Sequence, residues 1–261
     1  MHPFLTIADR AARAAGQRII RALERLDRLK IYEKSTNHFV TEIDYESEAI
    51  IIKHIQEVYP HHSILSEESG YLAGDEEYVW VIDPIDGTSN FMHGCPGFAI
   101  SIAVQYRGKL DQALIYDPFA QETFYASRGQ GARLYQNRLR VSKRSNIKNA
   151  LIYMHRPASE QVQLQQWSNI LQSLLVEKAS IRNLGSTALG LAYVAAGRLD
   201  AFFAPSTLPL WDKAAGALLV EEAGGIICDP YSGQQILEAK GLLAANTKLT
   251  EDLLKLTRSK T

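Results

Sequence analysis

Cysteine is nearly missing from this chain: two residues, Cys95 and Cys228, among 261. They stand far apart and form no Cys-x-x-Cys or His-paired pattern. That argues against a thiolate metal site and against a disulfide scaffold. No uninterrupted apolar run approaches the ~20 residues a membrane helix needs. The first ten residues lack a basic region followed by an apolar core, so no signal peptide is expected. Charge of one sign is not in excess either. Lys and Arg number 28 against 29 Asp and Glu, a formal net charge of −1. Nothing global therefore points to nucleic acid or an anionic membrane as the main partner. A reduced, cytoplasmic protein is the expectation.

There is also no internal repeat and no low-complexity linker. The length is great for one compact domain and small for two independent ones. With 46% apolar residues the chain can bury a sizeable core. Two lobes sharing one continuous architecture are expected, residues 1–145 and 146–261.

Apolar residues at Leu5, Ala8, Ala12, Ala15, Ile19, Ala22 and Leu26 alternate steps of three and four, which predicts an amphipathic helix. A polar stretch at residues 33–38 follows. A second helix is predicted from Asp44 to Val58, with Ile51, Ile55 and Val58 facing inward and Pro60 ending it. Tyr78–Ile82 reads as a short buried strand, and Phe98–Tyr106 has the period-two alternation of a longer one. Further strands are predicted at residues 110–116, 123–126 and 132–135. Beyond residue 145 helices and strands alternate. Helices are predicted at 159–175, 186–196, 212–223 and 247–257, and strands at 178–182, 199–204 and 225–228.

The most informative segment is Val81-Ile-Asp-Pro-Ile-Asp-Gly-Thr88. A buried strand ends, and at its tip come Asp83 and Asp86, three residues apart. Pro84 fixes the backbone between them, and Gly87 permits a tight turn. Carboxylates converging at a strand end suit a hard divalent cation, which takes oxygen ligands. The backbone N–H groups of Gly87 and Thr88 suit a phosphate. Asp-Pro and Asp-Gly are also ordinary turn formers. Other acids fall where such a site would use them. Glu67 and Glu68 end the short apolar run Ile64-Leu65-Ser66, although a Glu pair there also reads as a solvated loop. Asp212 begins an Ala/Gly-rich helix, where it also reads as an N-cap. Asp44 stands at the start of the second helix. No Ser lies near a His at the spacing of a nucleophilic triad.

Asp83-Pro-Ile-Asp-Gly-Thr88 resembles the first signature of the inositol monophosphatase family, and Trp211-Asp-Lys-Ala-Ala-Gly216 resembles its second. Glu67-Glu-Ser69, Asp44 and Gly185-Ser-Thr187 stand in the family's order and approximate spacing. The likeness runs from Met1-His-Pro3 to Glu222-Ala-Gly-Gly225 and is nearest to the bacterial SuhB type. The resemblance implies a mixed α/β protein, with an α+β N-terminal lobe and an α/β C-terminal lobe in a layered αβαβα sandwich. It implies a lithium-sensitive, Mg2+-dependent phosphatase of the fructose-1,6-bisphosphatase and inositol phosphatase superfamily, using two or three ions. By resemblance, Glu67, Asp83 and the carbonyl of Ile85 hold the first ion, Asp83, Asp86 and Asp212 the second, and Glu67 a third through waters. Glu67, Thr88 and Asp44 are then the catalytic group that activates water. Asp86, Gly87, Thr88, Gly185, Ser186 and Thr187 contact the substrate, a small phosphorylated polyol. The bland reading of residues 185–187 is a helix cap.

The likeness breaks in two places. The family usually carries a glutamate soon after the Asp-Ala-Phe-Phe strand. Here Asp200-Ala-Phe-Phe203 runs into Ala204-Pro-Ser-Thr207. Losing one polar partner for a substrate hydroxyl costs about 1–3 kcal/mol. Bacterial relatives also carry a Gly-Phe-Pro type segment where this chain has His155-Arg-Pro157. Alternative substrates within the superfamily are fructose-1,6-bisphosphate, histidinol phosphate, NADP and 3'-phosphoadenosine nucleotides, with Arg156, Arg182 and Arg198 as candidate rim cations. A binding role is the other class. Arg10, Arg13, Arg18, Arg21, Arg25 and Arg28 line the first helix, although Asp9, Glu24 and Asp27 soften that face. By resemblance a partner in the bacterial transcription antitermination machinery is implied, as is a homodimer. Phe98 and Leu189 suit either a dimer interface or the core.

Overall fold

The computed structural model describes residues 1–35, 38–157, 161–232 and 239–258. The first apolar stripe forms α1 (Pro3–Leu23), and Leu5, Ala8, Ala12, Ala15, Ile19 and Ala22 are buried on it. Pro3 sits in the first turn, where a missing N–H costs nothing. Leu26, which spacing adds to the same stripe, falls beyond the helix in a 3-10 turn (Leu26–Arg28). The polar stretch then forms a hairpin, β1 (Ile31–Ser35) and β2 (His38–Thr41), whose residues 36 and 37 lie outside the described residues. Helix α2 (Glu42–Gln56) starts two residues before Asp44, because Thr41 and Asp44 close a capping box over its first turn. Ile51 and Ile55 are buried as predicted. Val58 lies past the helix end and is 47% exposed, which corrects its inward assignment.

The large sheet follows: β3 (His62–Ser66), β4 (Gly70–Leu72), β5 (Asp75–Asp86), β6 (Ala99–Tyr106), β7 (Lys109–Asp117), β8 (Glu122–Ser127), β9 (Gly131–Leu134) and β10 (Asn137–Arg138), with short α3 (Thr88–Met92) after β5. Its order is β10-β9-β8-β7-β6-β5-β3-β4, and only the β3–β5 pair is parallel. A smaller sheet is built from β11 (Leu151–Met154), β12 (Ser180–Arg182), β13 (Ala201–Ala204), β14 (Ile226–Cys228) and β15 (Leu242–Ala245), in the order β12-β11-β13-β15-β14. Between them in sequence lie α4 (Gln161–Val176), α5 (Thr187–Ala195) and α6 (Leu210–Glu222), with α7 (Thr247–Arg258) last. The predicted start of α4 at residues 159 and 160 lies outside the described residues.

Period-two alternation assigns the strand side chains to layers. Trp80 and Ile82 face α1 and α2, in a core with Ile19, Ile43 and Ile51. Val81, between them, faces the opposite way, into a core with Ile115, Phe124, and Leu189, Leu191 and Leu219 from α5 and α6. Tyr153 and Phe202 of the small sheet close that same core from the far side. Their neighbours Ile152, Met154 and Phe203 point outward to Ile170 and Leu174 of α4 and Leu249 and Leu253 of α7. The result is the αβαβα sandwich. Phe98 and Leu189 are 0% and 1% exposed, so both belong to the core and neither is offered to a second copy. No disulfide joins Cys95 and Cys228. No described helix is long and apolar enough to cross a membrane.

Helices α5 and α6 touch at Gly216, where an added Cβ would stand 2.5 Å from the Leu191 Cβ and Cδ1. Overfilling a packed core costs about 1–3 kcal/mol. Gly216→Val should therefore destabilise the fold by that amount, read as a lower denaturant midpoint at an unchanged slope, and an unshifted midpoint would show that the helices part freely.

Candidate active site

The two aspartates of the first signature share a site because β5 is irregular between them. Asp83 pairs with Ser101 and Asp86 with Ala99, so three steps along β5 match two along β6. One extra residue is a bulge. In a regular strand, residues three apart face opposite sides; the extra residue turns both carboxylates to one side. Pro84 has no N–H to offer the ladder, and the Ile85 N–H is satisfied instead by Asp83 Oδ1 at 3.0 Å.

Neighbouring elements bring the other acids to this bulge. Parallel pairing of Ser66 with Ile82, with the Glu67 N–H donating to the Ile82 carbonyl (3.2 Å), sets Glu67 beside Asp83. Ser101, opposite Asp83, donates to the Trp211 carbonyl (3.2 Å) and pins the start of α6. Asp212 lies in the first turn of that helix, whose N-cap is Pro209, so the N-cap reading of Asp212 is corrected. Asp86 reaches across to α5, where its carboxylate accepts from the Ser186 hydroxyl and from the Ala188 N–H (2.6 Å). Ser186 also caps α5, accepting from the Leu189 N–H (3.2 Å), so the capping reading holds beside the contact with Asp86. Gly87 has φ 98° at the N-cap of α3, and a Cβ there would meet the Gly97 carbonyl at 2.8 Å. Only glycine fits the turn. Asn90, two residues on from Thr88, donates to the Gly97 and Leu184 carbonyls (both 2.7 Å) and ties this turn to the loop before α5.

Thr88 and Asp44 meet as their spacing alone did not require. The Thr88 hydroxyl lies 3.0 Å from both Asp44 Oδ1 and the Ile85 carbonyl. Asp44 Oδ2 accepts from the Thr41 N–H (2.7 Å) and hydroxyl (2.6 Å), and the residue is 1% exposed. Burial drives its carboxyl up to about 6, against the hydrogen bonds from Thr41 and Thr88. Asp86 is also raised to about 6, first by burial, with Ser186 and Ala188 holding it down. Asp83 and Asp212 are raised well above the carboxylate range. Burial is the leading cause in both, followed by neighbouring carboxylates: Glu67 and Asp86 for Asp83, Asp86 and Glu67 for Asp212.

Sequence reasoning missed three supports. Glu48 accepts from the Ser66 hydroxyl (2.5 Å) and from the N–H groups of Glu68 (3.0 Å) and Ser69 (3.2 Å), fixing the loop that carries Glu67. Its signal was available: with Asp44 it extends the Ile51–Ile55 face of α2, and an acid on a buried stripe needs a reason. Lys34 in the hairpin lies 2.6 Å from Glu68 Oε2 and 3.4 Å from Glu67 Oε1. Asn90 carried no signal. Of the rim arginines, Arg198 is committed elsewhere, to Glu122 at 2.5 and 2.6 Å, while Arg156 and Arg182 are exposed. On α1, Arg13 pairs with Asp9 and Arg18 with Glu46, while Arg10 and Arg21 are exposed; Arg25 and Arg28, expected on the same helix, lie beyond its end.

The donor set is carboxylate and carbonyl oxygen, the chemistry of a hard dication. Among the described residues no group of three or more His, Cys, Asp or Glu side chains forms a preformed metal cage. The carboxylates are instead held by protein donors: Asp83 by the Ile85 N–H, Asp86 by Ser186 and Ala188, Glu67 by the Lys34 ammonium. Glu67 and Asp86 still raise the pKa of Asp83 and Asp212, so the site carries an excess of negative charge that a cation would neutralise. The residues present fit such an ion.

A family model described as the inositol monophosphatase family matches residues 1–261. The chain belongs to the inositol monophosphatase family. Nus factor SuhB of Pseudomonas aeruginosa is 47% identical over 259 residues, covering 97% of this chain and 95% of that one. The crystal structure of extragenic suppressor protein SuhB from Bartonella henselae superposes with a TM-score of 0.95 at 34% identity, over 99% of both chains. The Thermotoga maritima IMPase superposes with a TM-score of 0.88 at 30% identity, over 98% of this chain and 96% of that one.

Proposed function

We propose that this chain is a Mg2+-dependent phosphomonoesterase that hydrolyses inositol monophosphate or a similar small polyol phosphate by attack of water. The observation that carries the reading is the carboxylate cluster of buried Asp83 and Asp86 and half-buried Asp212, with Asp86 raising the pKa of the other two, on the two segments that resemble the family's signatures. Residues 1–145 and 146–261 act in it as two lobes, and Asp86 and α5 meet where they join. Glu67, Asp83, the Ile85 carbonyl, Asp86 and Asp212 would hold two or three magnesium ions. Bound there, the ions supply charge to the phosphoryl oxygens and lower the pKa of water.

The chain's own groups do the rest. The Thr88 hydroxyl donates a hydrogen bond to Asp44 or the Ile85 carbonyl, which leaves its oxygen free to accept one from an attacking water beside Glu67. Asp44, with a carboxyl near 6, is poised to share that proton at neutral pH. The Gly87 and Thr88 N–H groups face the phosphate, and Gly185, Ser186 and Thr187 face the alcohol. The α5 N-terminus already steadies an anion there, the Asp86 carboxylate. A phosphate-release panel tests this reading, with inositol 1-phosphate, glycerol 2-phosphate, fructose-1,6-bisphosphate, histidinol phosphate and NADP, with and without Mg2+. Turnover that requires Mg2+ and is suppressed by Li+ is expected, and no turnover on any ester by folded protein would overturn it.

The name of the Pseudomonas relative, Nus factor SuhB, favours a second reading beside the first, a partner in the transcription machinery, which this chain would meet as a cytoplasmic homodimer. Co-purification of that partner with a turnover-deficient variant would separate scaffolding from catalysis.

A further inference from the structure

Helix α2 turns three polar side chains inward on a face that a packed helix ordinarily fills with apolar ones. Asp44, Ser47 and Glu48 stand at i, i+3 and i+4, so they share that face. They are 1%, 0% and 4% exposed. Ile51 and Ile55 continue the same face as ordinary core. Each polar member is committed to a different segment of the site. Asp44 accepts from the Thr88 hydroxyl. Ser47 donates to the Pro84 carbonyl at 3.0 Å, inside the bulge that turns Asp83 and Asp86 to one side. Glu48 takes the loop after β3.

That loop is held along its main chain. Glu48 Oε2 accepts from the Ser66 hydroxyl and from the successive N–H groups of Glu68 and Ser69, while Oε1 accepts from the Ser69 hydroxyl. The preceding N–H, that of Glu67, is taken by the Ile82 carbonyl. Three consecutive donors therefore have fixed partners, and Gly70, at φ 71°, turns the chain back into β4. The Glu67 main chain is fixed between two anchors, one on β5 and one on α2. Without Glu48, two N–H groups and two hydroxyls would lose their acceptor and turn to water. Lys34 does not replace it, because its ammonium reaches only the carboxylate ends of Glu67 and Glu68.

We propose that Ser47 and Glu48 are positioning residues, and that α2 is the rigid spacer setting Glu67 against the Asp83–Asp86 bulge. Neither side chain is among the oxygens assigned to the ions; both act through groups that are. Magnesium demands near-ideal ligand geometry, so a ligand on a loose loop must be ordered at binding, and affinity falls. The hold works by acceptor geometry more than by charge. A glutamine at position 48 can offer its amide oxygen to the three donors and its NH2 to the Ser69 hydroxyl, which both donates and accepts. An alanine there can offer nothing.

The proposal rests on the phosphatase reading for its kinetic arm alone, and two other arms need no turnover. In the metal-free protein, amide hydrogen exchange at Glu68 and Ser69 should quicken at least tenfold in Glu48→Ala and stay near wild type in Glu48→Gln. Binding of Mn2+, followed by EPR, should weaken about tenfold in Glu48→Ala, the lower end of what a lost outer partner of a metal ligand causes. Ser47→Ala should weaken it by a smaller factor, and Glu48→Gln should recover most of the loss. The Mg2+ concentration for half-activation should rise in step, with kcat at saturating Mg2+ little changed. Glu46→Gln, on the outer face of the same helix, should move none of these. Unmoved exchange and ion binding in Glu48→Ala overturn the proposal. So does a loss that Glu48→Gln shares in full, or a lower Tm with Mg2+ dependence unmoved. Should Glu48→Ala fail to fold, Ser47→Ala, which loses one hydrogen bond, decides in its place. Weakened Mn2+ binding in a protein that hydrolyses no ester keeps the positioning role and ends the phosphatase reading. Ester hydrolysis with an unshifted Mg2+ requirement does the reverse, and no Mn2+ binding by the wild type overturns the proposal.

Discussion

Asp86→Asn should reduce Mg2+-dependent phosphate release about a thousandfold while leaving the metal-free protein folded. A metal-held transition state draws several kcal/mol from the cation, and ~4 kcal/mol is a factor of a thousand in rate. Asparagine keeps the shape and one acceptor oxygen for Ser186 and Ala188 but not the charge. Its effect on the fold has the opposite sign. Asp86 is a cause of the raised pKa values of both Asp83 and Asp212, so neutralising it relieves like-charge repulsion in a buried cluster. Thermal unfolding without metal should be unchanged or shifted upward at neutral pH, and the rise in Tm on adding Mg2+ should shrink. A variant that still turns over within tenfold of wild type would remove Asp86 from the ion site. One that fails to fold would place its worth in the bridge to α5.

The elements that periodicity reached are those whose pattern is set by one face. Stripe spacing found α1 and α2, and alternation found β6. What it missed follows a different rule. Strands β11 and β15 are four residues each and buried on both faces, so they show no alternation to read. Val58 and Leu26 obey the helical spacing, but the helices end before them, and spacing alone carries no stop signal. At the site, Asp83 and Asp86 were legible as a pair, yet their convergence is the work of a bulge whose partner strand the hexad does not contain. Glu67 and Asp212 were visible as acids at the end of an apolar run and the start of a helix, and the family likeness assigned them to the site. Their positions depend on pairing across 16 residues for Glu67 and on a Ser101 contact across 110 for α6. His155 stood out in the sequence only as a departure from the bacterial relatives, and its contact with Thr187 became visible once the fold brought β11 and α5 together.

The pH dependence of stability should invert on adding Mg2+. Burial lifts Asp44 and Asp86 in the folded protein to about 6, from an ordinary aspartate value of 3.8. Between those limits the folded protein binds protons that the unfolded chain has lost, so stability falls as pH rises. Two units for one group is about 3 kcal/mol; the groups interact, so the cluster's total is not the sum of its members. Imidazoles buried in neutral form work the other way. His155, at about 4, contributes stability present above the usual histidine range and lost as pH falls through 4. His62, lowered first by burial and accepting from the Trp80 indole N–H at 3.0 Å, has the same sign. The unfolded imidazoles titrate near 6.5, so between pH 5 and 7 their gain opposes the carboxylates' loss, but with Asp83 and Asp212 also raised the four carboxylates outweigh the two imidazoles. The metal-free protein should lose several degrees of Tm between pH 5 and 7, using ~2–4 °C per kcal/mol for a chain of this size. A divalent cation needs the same carboxylates ionised, so the Tm gain on adding Mg2+ should be small at pH 5 and largest at pH 8. A gain independent of pH would mean that the ion binds elsewhere and that these carboxylates are not its ligands.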